Sequence, residues 1–362
     1  MIYPITINIV LGLMLLKNKD QLLIACKMES TYMPLLNIGL IGIGHVAEAQ
    51  IEAIQRVENV KLVAAHDIDQ SKQASLPDDV EFFDSLDEFV KFKDVDLFLV
   101  STPNLTHGPI GLKVLQAKRP LLLEKPASQN RVDLQELREL SESSGTYFSV
   151  ALHASYAREV IWWKENQDSF NSDWGDITGF ECGFYDPYIV NDSVLESAKG
   201  LGGSWFDSAI NALSVIGLFI NPNTLSIQDS YMTSPTNFEC SQVQGSSVFT
   251  FRSGENGIGR GLIDTNWTLG LNRKVTRLFY GTTGYEVILH HSKEILRIER
   301  HGVTQFEKDF SGGNTRLSNH YTGLFKDHAN RLSEGRSNIR YADAIHQLLF
   351  DAEEGRVLRK DG

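Results

Sequence analysis

Short, almost continuous apolar runs alternate with amphipathic stretches between residues 35 and 152. Strands of a parallel sheet have this pattern, because crossover helices cover both faces of the sheet and bury every position. The pattern predicts an α/β domain of the Rossmann type, with a doubly wound parallel sheet. Its strands are predicted at 35–41, 60–66, 95–100, 120–123 and 146–152.

Beyond residue 155 strand-like runs follow one another with little helix between them. These runs lie at 177–185, 246–251, 259–267, 274–281 and 286–290. Helical periodicity is found at 156–167, 204–220, 320–332 and 341–358. This pattern predicts an α+β domain with a large, mostly antiparallel open sheet.

The two sequence patterns, with a segment before them and a helix after them, divide the chain into four predicted parts. Residues 1–33 form an extension outside the core, 34–154 a dinucleotide-binding domain, and 155–340 a domain for substrate binding and oligomerisation. Residues 341–362 form a C-terminal helix that packs back on the first domain. The extension begins with an apolar run at 1–16 that lacks the charge pattern of a secretory signal and is too short for a membrane span. It is either a segment upstream of a true start at Met28 or Met33, or a membrane tether.

Composition narrows the classes of partner. The 34 basic and 46 acidic residues give a net charge of −12, and no basic stripe with interleaved aromatic residues interrupts it. Such a surface repels a phosphate backbone, so we expect no nucleic-acid partner. The 3 cysteines are far apart, which favours reduced thiols in the cytoplasm over disulfides. We expect no membrane partner for the core.

A glycine-rich turn follows the first predicted strand. In Gly42-Ile43-Gly44-His45-Val46-Ala47, the first glycine permits a tight turn and the second lets backbone approach a pyrophosphate. Ala47 takes the place of a third glycine, where strand and helix pack closely. The following helix offers unpaired N–H groups to the phosphates. We expect Gly42, Ile43, Gly44 and His45 to contact the dinucleotide.

Asp67 ends the second predicted strand, 23 residues after Gly44. A carboxylate at this place accepts hydrogen bonds from the adenosine ribose. No arginine follows it to bind a 2′-phosphate. The sequence therefore predicts NAD as the cofactor, with NADP as the alternative.

Polar residues follow the fourth and fifth predicted strands, whose carboxyl ends face the ligand crevice of a doubly wound sheet. Lys125 is partly desolvated by this position, which would lower its pKa and suit it to proton transfer with a substrate hydroxyl. A surface lysine paired with Glu124 is the alternative. The residues that we expect at the cofactor are Ser101, Thr102, Pro103, Asn104, His107, Glu124 and Lys125.

The predicted helix from Ser204 is mostly apolar but carries one narrow polar stripe. Its members are Ser204, Asp207, Ser208, Asn211 and Ser214. Because polar groups on a buried helix must be satisfied by protein, water or ligand, the stripe indicates a site at which a carboxylate and an amide face a substrate. An N-terminal cap formed by the Asp and Ser residues is the alternative.

Together these motifs, in this order from residue 35 to residue 362, resemble the glucose–fructose oxidoreductase/inositol dehydrogenase family (Gfo/Idh/MocA). The resemblance implies a catalytic role for Lys125, in Glu124-Lys125-Pro126, and for Asp207. The family usually has a histidine where this chain has Asn211, and an amide cannot accept a proton as imidazole does. The string 206–214 and the segment 153–157 are similar to the galactose and arabinose 1-dehydrogenases of the family. That resemblance implies substrate contacts from Lys125, Asp207 and Asn211, and also from His153 and Glu181.

The resemblance implies an NAD(P)-dependent dehydrogenase that oxidises the C1 hydroxyl of a galactose- or arabinose-like aldose to a lactone. The alternatives are oxidation of a ring hydroxyl of an inositol or deoxysugar, and a dinucleotide-binding regulator without turnover. We expect a homodimer or homotetramer. No Cys/His/carboxylate cluster is evident, so we expect no metal, and we place His290, His291 and His301 on the exposed sheet or its turns.

Overall fold

The structure is a computed structural model that describes residues 34–191, 193–233, 242–355 and the backbone of 357–359. The predicted extension at 1–33, with its apolar run, lies outside the described residues. Two sheets organise the described chain, and the carboxyl end of the first faces the second.

The first sheet has six parallel strands in the order β3-β2-β1-β4-β5-β6. The strands are β1 (Leu36–Ile41), β2 (Val60–His66), β3 (Glu81–Phe83), β4 (Leu97–Val100), β5 (Leu121–Glu124) and β6 (Phe148–Ala151). The predicted doubly wound α/β domain is confirmed, with five of its strands close to their predicted places. The short edge strand β3 escaped prediction because its three residues are half-buried or exposed and so carry no apolar run.

Helices cover both faces of this sheet. They are α1 (Ala47–Gln55), α2 (Leu86–Phe89), α3 (His107–Gln116) and α4 (Arg131–Ser144). The side chains of α1 pack with alternate positions of the strands on one face, and those of α3 and α4 pack on the other. Since every position of β4 and β5 is buried, these strands read as continuous apolar runs.

A nine-stranded sheet dominates the second half, in the order β16-β15-β14-β13-β7-β12-β11-β10-β17. Its pairs are antiparallel except β7 with β12 and β10 with β17, which confirms the predicted mostly antiparallel sheet. The strands are β7 (Ile177–Tyr185), β10 (Ser226–Thr233), β11 (Gln244–Ser253), β12 (Gly257–Asn266), β13 (Arg273–Tyr280), β14 (Tyr285–His290), β15 (Ile295–Arg300), β16 (Val303–Asp309) and β17 (Val357–Arg359). A small hairpin, β8 (Ile189–Val190) and β9 (Ser193–Val194), follows β7.

The sheet has one covered and one open face. Along β7 the even-numbered side chains Phe180, Cys182 and Phe184 are buried, whereas Glu181 between them is exposed. The covered face packs against α5 (Arg158–Asn166), a π-helical segment (Trp205–Ala209) and α6 (Ile210–Ile216). The single helix predicted at 204–220 is therefore two segments, and it ends at Ile216.

The last two helices connect the two sheets. Helix α7 (Arg316–Ser333), assigned from the sequence to the second domain, packs on α1 of the first. Helix α8 (Ile339–Glu354) contacts β6 and α4 on one side and α6 and β10 on the other. The helix predicted at 341–358 is thus shorter at its end, where β17 follows. No helix within the described ranges has the length and apolarity that a bilayer crossing requires.

A buried histidine ties α8 to the turn after β5. The His346 Nδ1 atom donates to Ala342 O at 2.6 Å, and Nε2 accepts from the Ala127 N–H at 2.9 Å. Protonation of Nε2 would break the second bond. Burial lowers the pKa of His346 to about 4, and burial likewise lowers the pKa of His328, on α7, to about 4.

We expect the free energy of unfolding to fall as the pH falls. The unfolded chain binds protons on these histidines near pH 6.5 but the folded chain only near pH 4, so their stabilisation is present above pH 6.5 and is lost between these values. Between pH 7 and pH 4.5 the free energy of unfolding should fall by about 2–3 kcal/mol less in His346→Gln than in the unaltered protein. Urea unfolding at both pH values measures this difference. His301→Asn, at an exposed turn, is the control. An unchanged pH dependence in His346→Gln would contradict the assignment.

Candidate functional site

A cavity of about 330 Å³ opens where the carboxyl ends of β1, β4 and β5 face the second sheet. Ligands of doubly wound sheets bind at this edge. Of the residues predicted for the site, those that line the cavity are Gly44, His45, Ser101, Thr102, Pro103, Asn104, His107, Glu124, Lys125, His153, Asp207 and Asn211. Gly42 and Ile43 lie in the adjoining turn, and Asp67 is bonded to that turn.

The glycine turn has the geometry that a phosphate needs. Gly42 has a φ of +93°, and a Cβ there would lie 2.7 Å from the Ser101 carbonyl oxygen, so a side chain is excluded. A Cβ on Gly44 would meet no protein atom nearer than 3.8 Å, so its missing side chain leaves open space. Helix α1 begins beside this space without a side-chain cap. The turn therefore fits a pyrophosphate bound to the N-terminus of α1.

Asp67 holds the same turn from the neighbouring strand. Its Oδ2 accepts from the Ile43 N–H at 2.7 Å, and its Oδ1 accepts from the Asp69 N–H at 2.9 Å. Each carboxylate oxygen keeps acceptor capacity for a ribose hydroxyl. The next residue, Ile68, is exposed and uncharged. The surroundings of Asp67 therefore fit a ribose diol better than a 2′-phosphate.

The turns after β4 and β5 are joined through His107. One ring nitrogen lies 2.7 Å from Thr102 O and the other 2.7 Å from Pro126 O, while burial lowers the pKa of the ring. Asn104 donates to Leu201 O at 2.9 Å and so ties the first of these turns to the second domain. The hydroxyl of Ser101 is buried without a hydrogen-bond partner in the described chain.

Lys125 reaches across to the second domain. Its Nζ lies 2.7 Å from Asp207 Oδ1 and 3.0 Å from Asp207 O, and both side chains are about nine-tenths buried. The alternative pairing with Glu124 is not found. Glu124 instead accepts from Tyr321 OH at 2.7 Å and from Gln50 Nε2 at 2.9 Å, and burial raises its pKa.

Every member of the polar stripe is buried. Ser204 forms no cap and instead contacts the Thr265 hydroxyl at 3.2 Å. Asn211 Nδ2 donates to Asp207 O at 3.1 Å, but Asn211 Oδ1 is buried with no partner in the described part of the chain. The stripe thus presents a carboxylate paired with Lys125 and a free amide acceptor to the cavity.

Two predictions about individual residues need correction. Glu181 lies outside the cavity, on the open face of the sheet, because side chains alternate along β7 and the even-numbered positions are buried. Asp186, beyond the end of this strand, lines the cavity instead. His291 was placed on an exposed turn, but it is 3% exposed and lines the cavity.

The site residues predicted from the sequence did not include several polar groups on the second-domain side of the cavity. Asp186 Oδ1 lies 2.5 Å from Lys274 Nζ, and its Oδ2 accepts from Ser208 Oγ at 3.0 Å. His291 contacts the buried Glu159 carboxylate at 2.7 Å and the Thr276 hydroxyl at 2.9 Å. Asp186, Lys274 and His291 are polar and lie at the start or just beyond the end of a strand. The sequence does not tell whether such a residue faces solvent or a cavity until the element packed against it is known.

His153 faces a second histidine. The Nδ1 atoms of His153 and His320 are 3.4 Å apart, so one ring donates and the other accepts. Burial, followed by the positive charge of Lys125, holds the pKa of His153 well below its usual range. Within the described ranges, no group of three His, Cys, Asp or Glu residues could hold a metal ion.

Residues 36–152 match the sequence profile of the GFO_IDH_MocA family, an oxidoreductase family with an NAD-binding Rossmann fold. The resemblance predicted from the motifs is thereby confirmed, and so is the NAD(P) class of cofactor. Among curated proteins, glucose-6-phosphate 3-dehydrogenase of Bacillus subtilis is 26% identical over 125 residues, 34% of this chain and 35% of that protein. The chain matches about a third to a half of the length of these curated relatives.

Two solved structures share the fold over most of the chain. D-galactose-1-dehydrogenase from Rhizobium etli has a TM-score of 0.70 at 19% identity, covering 91% of this chain and 98% of that one. The 3-ketoreductase KijD10 from Actinomadura kijaniata, solved with NADP and TDP-benzene, has a TM-score of 0.75 at 16% identity, covering 91% and 100%. At this level of identity the likeness establishes the common fold.

The position of Asp67 generates a test of cofactor preference. We expect NAD to bind more tightly than NADP, because the carboxylate repels a 2′-phosphate, and Asp67→Ser should narrow the difference between the two dissociation constants. Fluorescence titration with NADH and NADPH measures both. Asp69→Ser, two residues away and exposed, is the control and should leave the ratio unchanged. Tighter binding of NADPH by the unaltered protein would show that the assignment is wrong.

Proposed function

We propose that this protein is an NAD-dependent sugar dehydrogenase, because residues 36–152 match the GFO_IDH_MocA family of oxidoreductases. The proposed reaction is oxidation of the C1 hydroxyl of an aldose to a lactone, and we place it in the cytoplasm. The observation that carries the proposal is the buried contact between Lys125 and Asp207, at the cavity edge where the two domains meet.

Asp207 and Lys125 have different roles in the removal of the hydroxyl proton. A bound NAD would supply the hydride acceptor for the carbon that bears the hydroxyl. The Asp207 carboxylate accepts the proton, and the Lys125 ammonium group, 2.7 Å away, stabilises the carboxylate and orients the substrate oxygen. Removal of either partner would leave the other as an unpaired charge in a site that is largely closed to water.

Asn211 orients the sugar. Its Nδ2 is already used by Asp207 O, so its unpartnered Oδ1 is the atom available to accept from a second sugar hydroxyl. The amide cannot act as a base, which leaves Asp207 as the proton acceptor on this helix. His153, buried and neutral beside His320, adds a further contact to the sugar.

Oxidation of a ring hydroxyl is the second candidate. It is favoured by the 26% identity to a glucose-6-phosphate 3-dehydrogenase and by the fold shared with a 3-ketoreductase. The C1 reaction is favoured by the fold shared with a galactose 1-dehydrogenase and by the 206–214 string. A regulator without turnover has no need of the Lys125–Asp207 pair. NADH formation over a panel of aldoses and cyclitols discriminates among these functions.

Substitution of the paired residues tests the chemistry. General acid–base groups contribute about 10²–10⁴-fold, so Asp207→Asn and Lys125→Ala should each lower turnover of the preferred sugar by that order. The affinity for NAD should change little, because the turn at Gly42–Gly44 and Asp67 hold the dinucleotide. Asp168→Asn, at an exposed aspartate just after α5, is the matched carboxylate control and should keep full turnover. If Asp207→Asn kept near-normal turnover, the proton would leave by another route.

We also propose that the open face of the second sheet is a contact between copies of this chain. Tyr231, Val248 and Leu262 lie on neighbouring strands of this face and are between 36% and 40% exposed. Covering these three apolar side chains stabilises an oligomer. Light scattering on the purified protein should give the mass of a dimer or tetramer, and Val248→Asp should lower it. A monomer at micromolar concentration would contradict this arrangement.

A further inference from the structure

Arg316, the first residue of α7, lines the cavity with a half-buried side chain. It forms no hydrogen bond or ion pair with any residue of the described chain. Its charge is felt by buried neighbours: burial, followed by the positive charge of Arg316, holds the pKa of His320 well below its usual range. A guanidinium group without a counter-ion at a cavity wall is open to bind an anion.

The other charged groups of the cavity already have partners. Lys125 is paired with Asp207, Lys274 with Asp186, and Glu196 with Lys199. Glu124 accepts bonds from Tyr321 and Gln50. The two lysines are therefore compensated by neighbouring carboxylates, and the positive charge that the described residues leave without a counter-ion is that of Arg316.

A second unsatisfied group lies one helical turn further along α7. His320 is 1% exposed and also lines the cavity, and its Nε2 atom has no hydrogen-bond partner in the described residues. Residues four apart lie on the same face of a helix, so Arg316 and His320 face the same space. In the tautomer in which His320 Nδ1 accepts from His153, Nε2 carries a proton and donates to a ligand.

Helix α7 also links this pair to the strand that carries Lys125. Tyr321 donates to Glu124, the residue before Lys125. Arg316 precedes Tyr321 by about 7.5 Å along the helix axis. Because Lys125, Asp207 and Arg316 line one cavity, a sugar whose hydroxyl lies at Lys125 and Asp207 can place its far end at Arg316.

We propose that Arg316 and His320 bind an oxyanion on the substrate, so that the preferred substrate is an acidic sugar, either a sugar acid or a sugar phosphate. The proposal rests on the proposed function and names its substrate class. A guanidinium group donates two parallel hydrogen bonds to the oxygens of a carboxylate or of a phosphate. A carboxylate at the C6 position, or a phosphate on the C6 oxygen, places the anion away from C1.

The test measures binding without turnover. Protein saturated with NADH, in which the sugar cannot be oxidised, is titrated calorimetrically with galactose, galacturonate and galactose 6-phosphate, and with the matching glucose set. Hydrogen bonds to a charged group predict that an acidic sugar binds about 10- to 100-fold more tightly than the neutral one. Galacturonate and galactose 6-phosphate distinguish the two sources of the oxyanion.

Arg316→Gln should remove this preference and leave the affinity for the neutral sugar within about twofold. Arg340→Gln, at an exposed arginine in the first turn of α8, is the matched control and should behave as the unaltered protein. Arg316→Lys keeps the positive charge but loses the planar guanidinium group that donates two parallel hydrogen bonds. It should therefore retain part of the preference for acidic over neutral sugars. It also serves as a second variant if Arg316→Gln does not fold.

Equal affinity of the unaltered protein for neutral and acidic sugars would overturn the inference. So would a loss of NADH affinity, in place of the sugar preference, in Arg316→Gln. Failure of the proposed function has a different signature: acidic sugars would bind in the predicted order, but none of the sugars would yield NADH from NAD. NADH formation from neutral sugars alone would preserve the function and refute the substrate class.

Discussion

The contact between Lys125 and Asp207 joins the two domains at the point where the proposed chemistry occurs. Lys125 comes from the end of a parallel strand, and Asp207 comes from a helix packed on the antiparallel sheet. Neither charge would be stable in this position alone, since an unpaired buried charge costs several kcal/mol. The pair therefore requires both domains to be docked, and docking places the glycine turn, His153 and Asn211 around one cavity.

The helices at the end of the chain maintain this docking. Helix α7 covers the α1 face of the first sheet, and its Tyr321 hydroxyl donates to Glu124, the residue before Lys125. Helix α8 packs on both domains and is fixed to the turn after β5 by His346. The same two helices carry His328 and His346, whose pKa values are lowered by burial, and α7 supplies Arg316 and His320 to the cavity. The end of the chain thus completes both the core and the site.

The second domain shows how strand alternation selects functional side chains. On β7 a shift of one residue separates the buried face from the open one, so Glu181 faces outwards while Phe184 lines the cavity. Asp186, Lys274 and His291 reach the cavity from the ends of strands of this sheet and form buried pairs there. Their partners are distant in sequence, and the Asp186–Lys274 pair balances charge inside the cavity. Arg316 has no such partner among the described residues, and the proposed anionic ligand rests on this observation.

The sequence alone determined the features that depend on local pattern: the parallel sheet, the turn at Gly42–Gly44, the carboxylate at Asp67, Lys125 after a buried strand, and the stripe with Asp207 and Asn211. Continuous apolar runs, glycine spacing and helical periodicity are properties of neighbouring residues, so they can be read without coordinates. The tertiary structure decided which side chains meet. It paired Lys125 with Asp207 and not with Glu124, moved Glu181 out of the site, and brought in His291, Lys274 and Arg316. These outcomes depend on strand register and on the packing of α7, because contacts between residues far apart in sequence are set by the core that buries them.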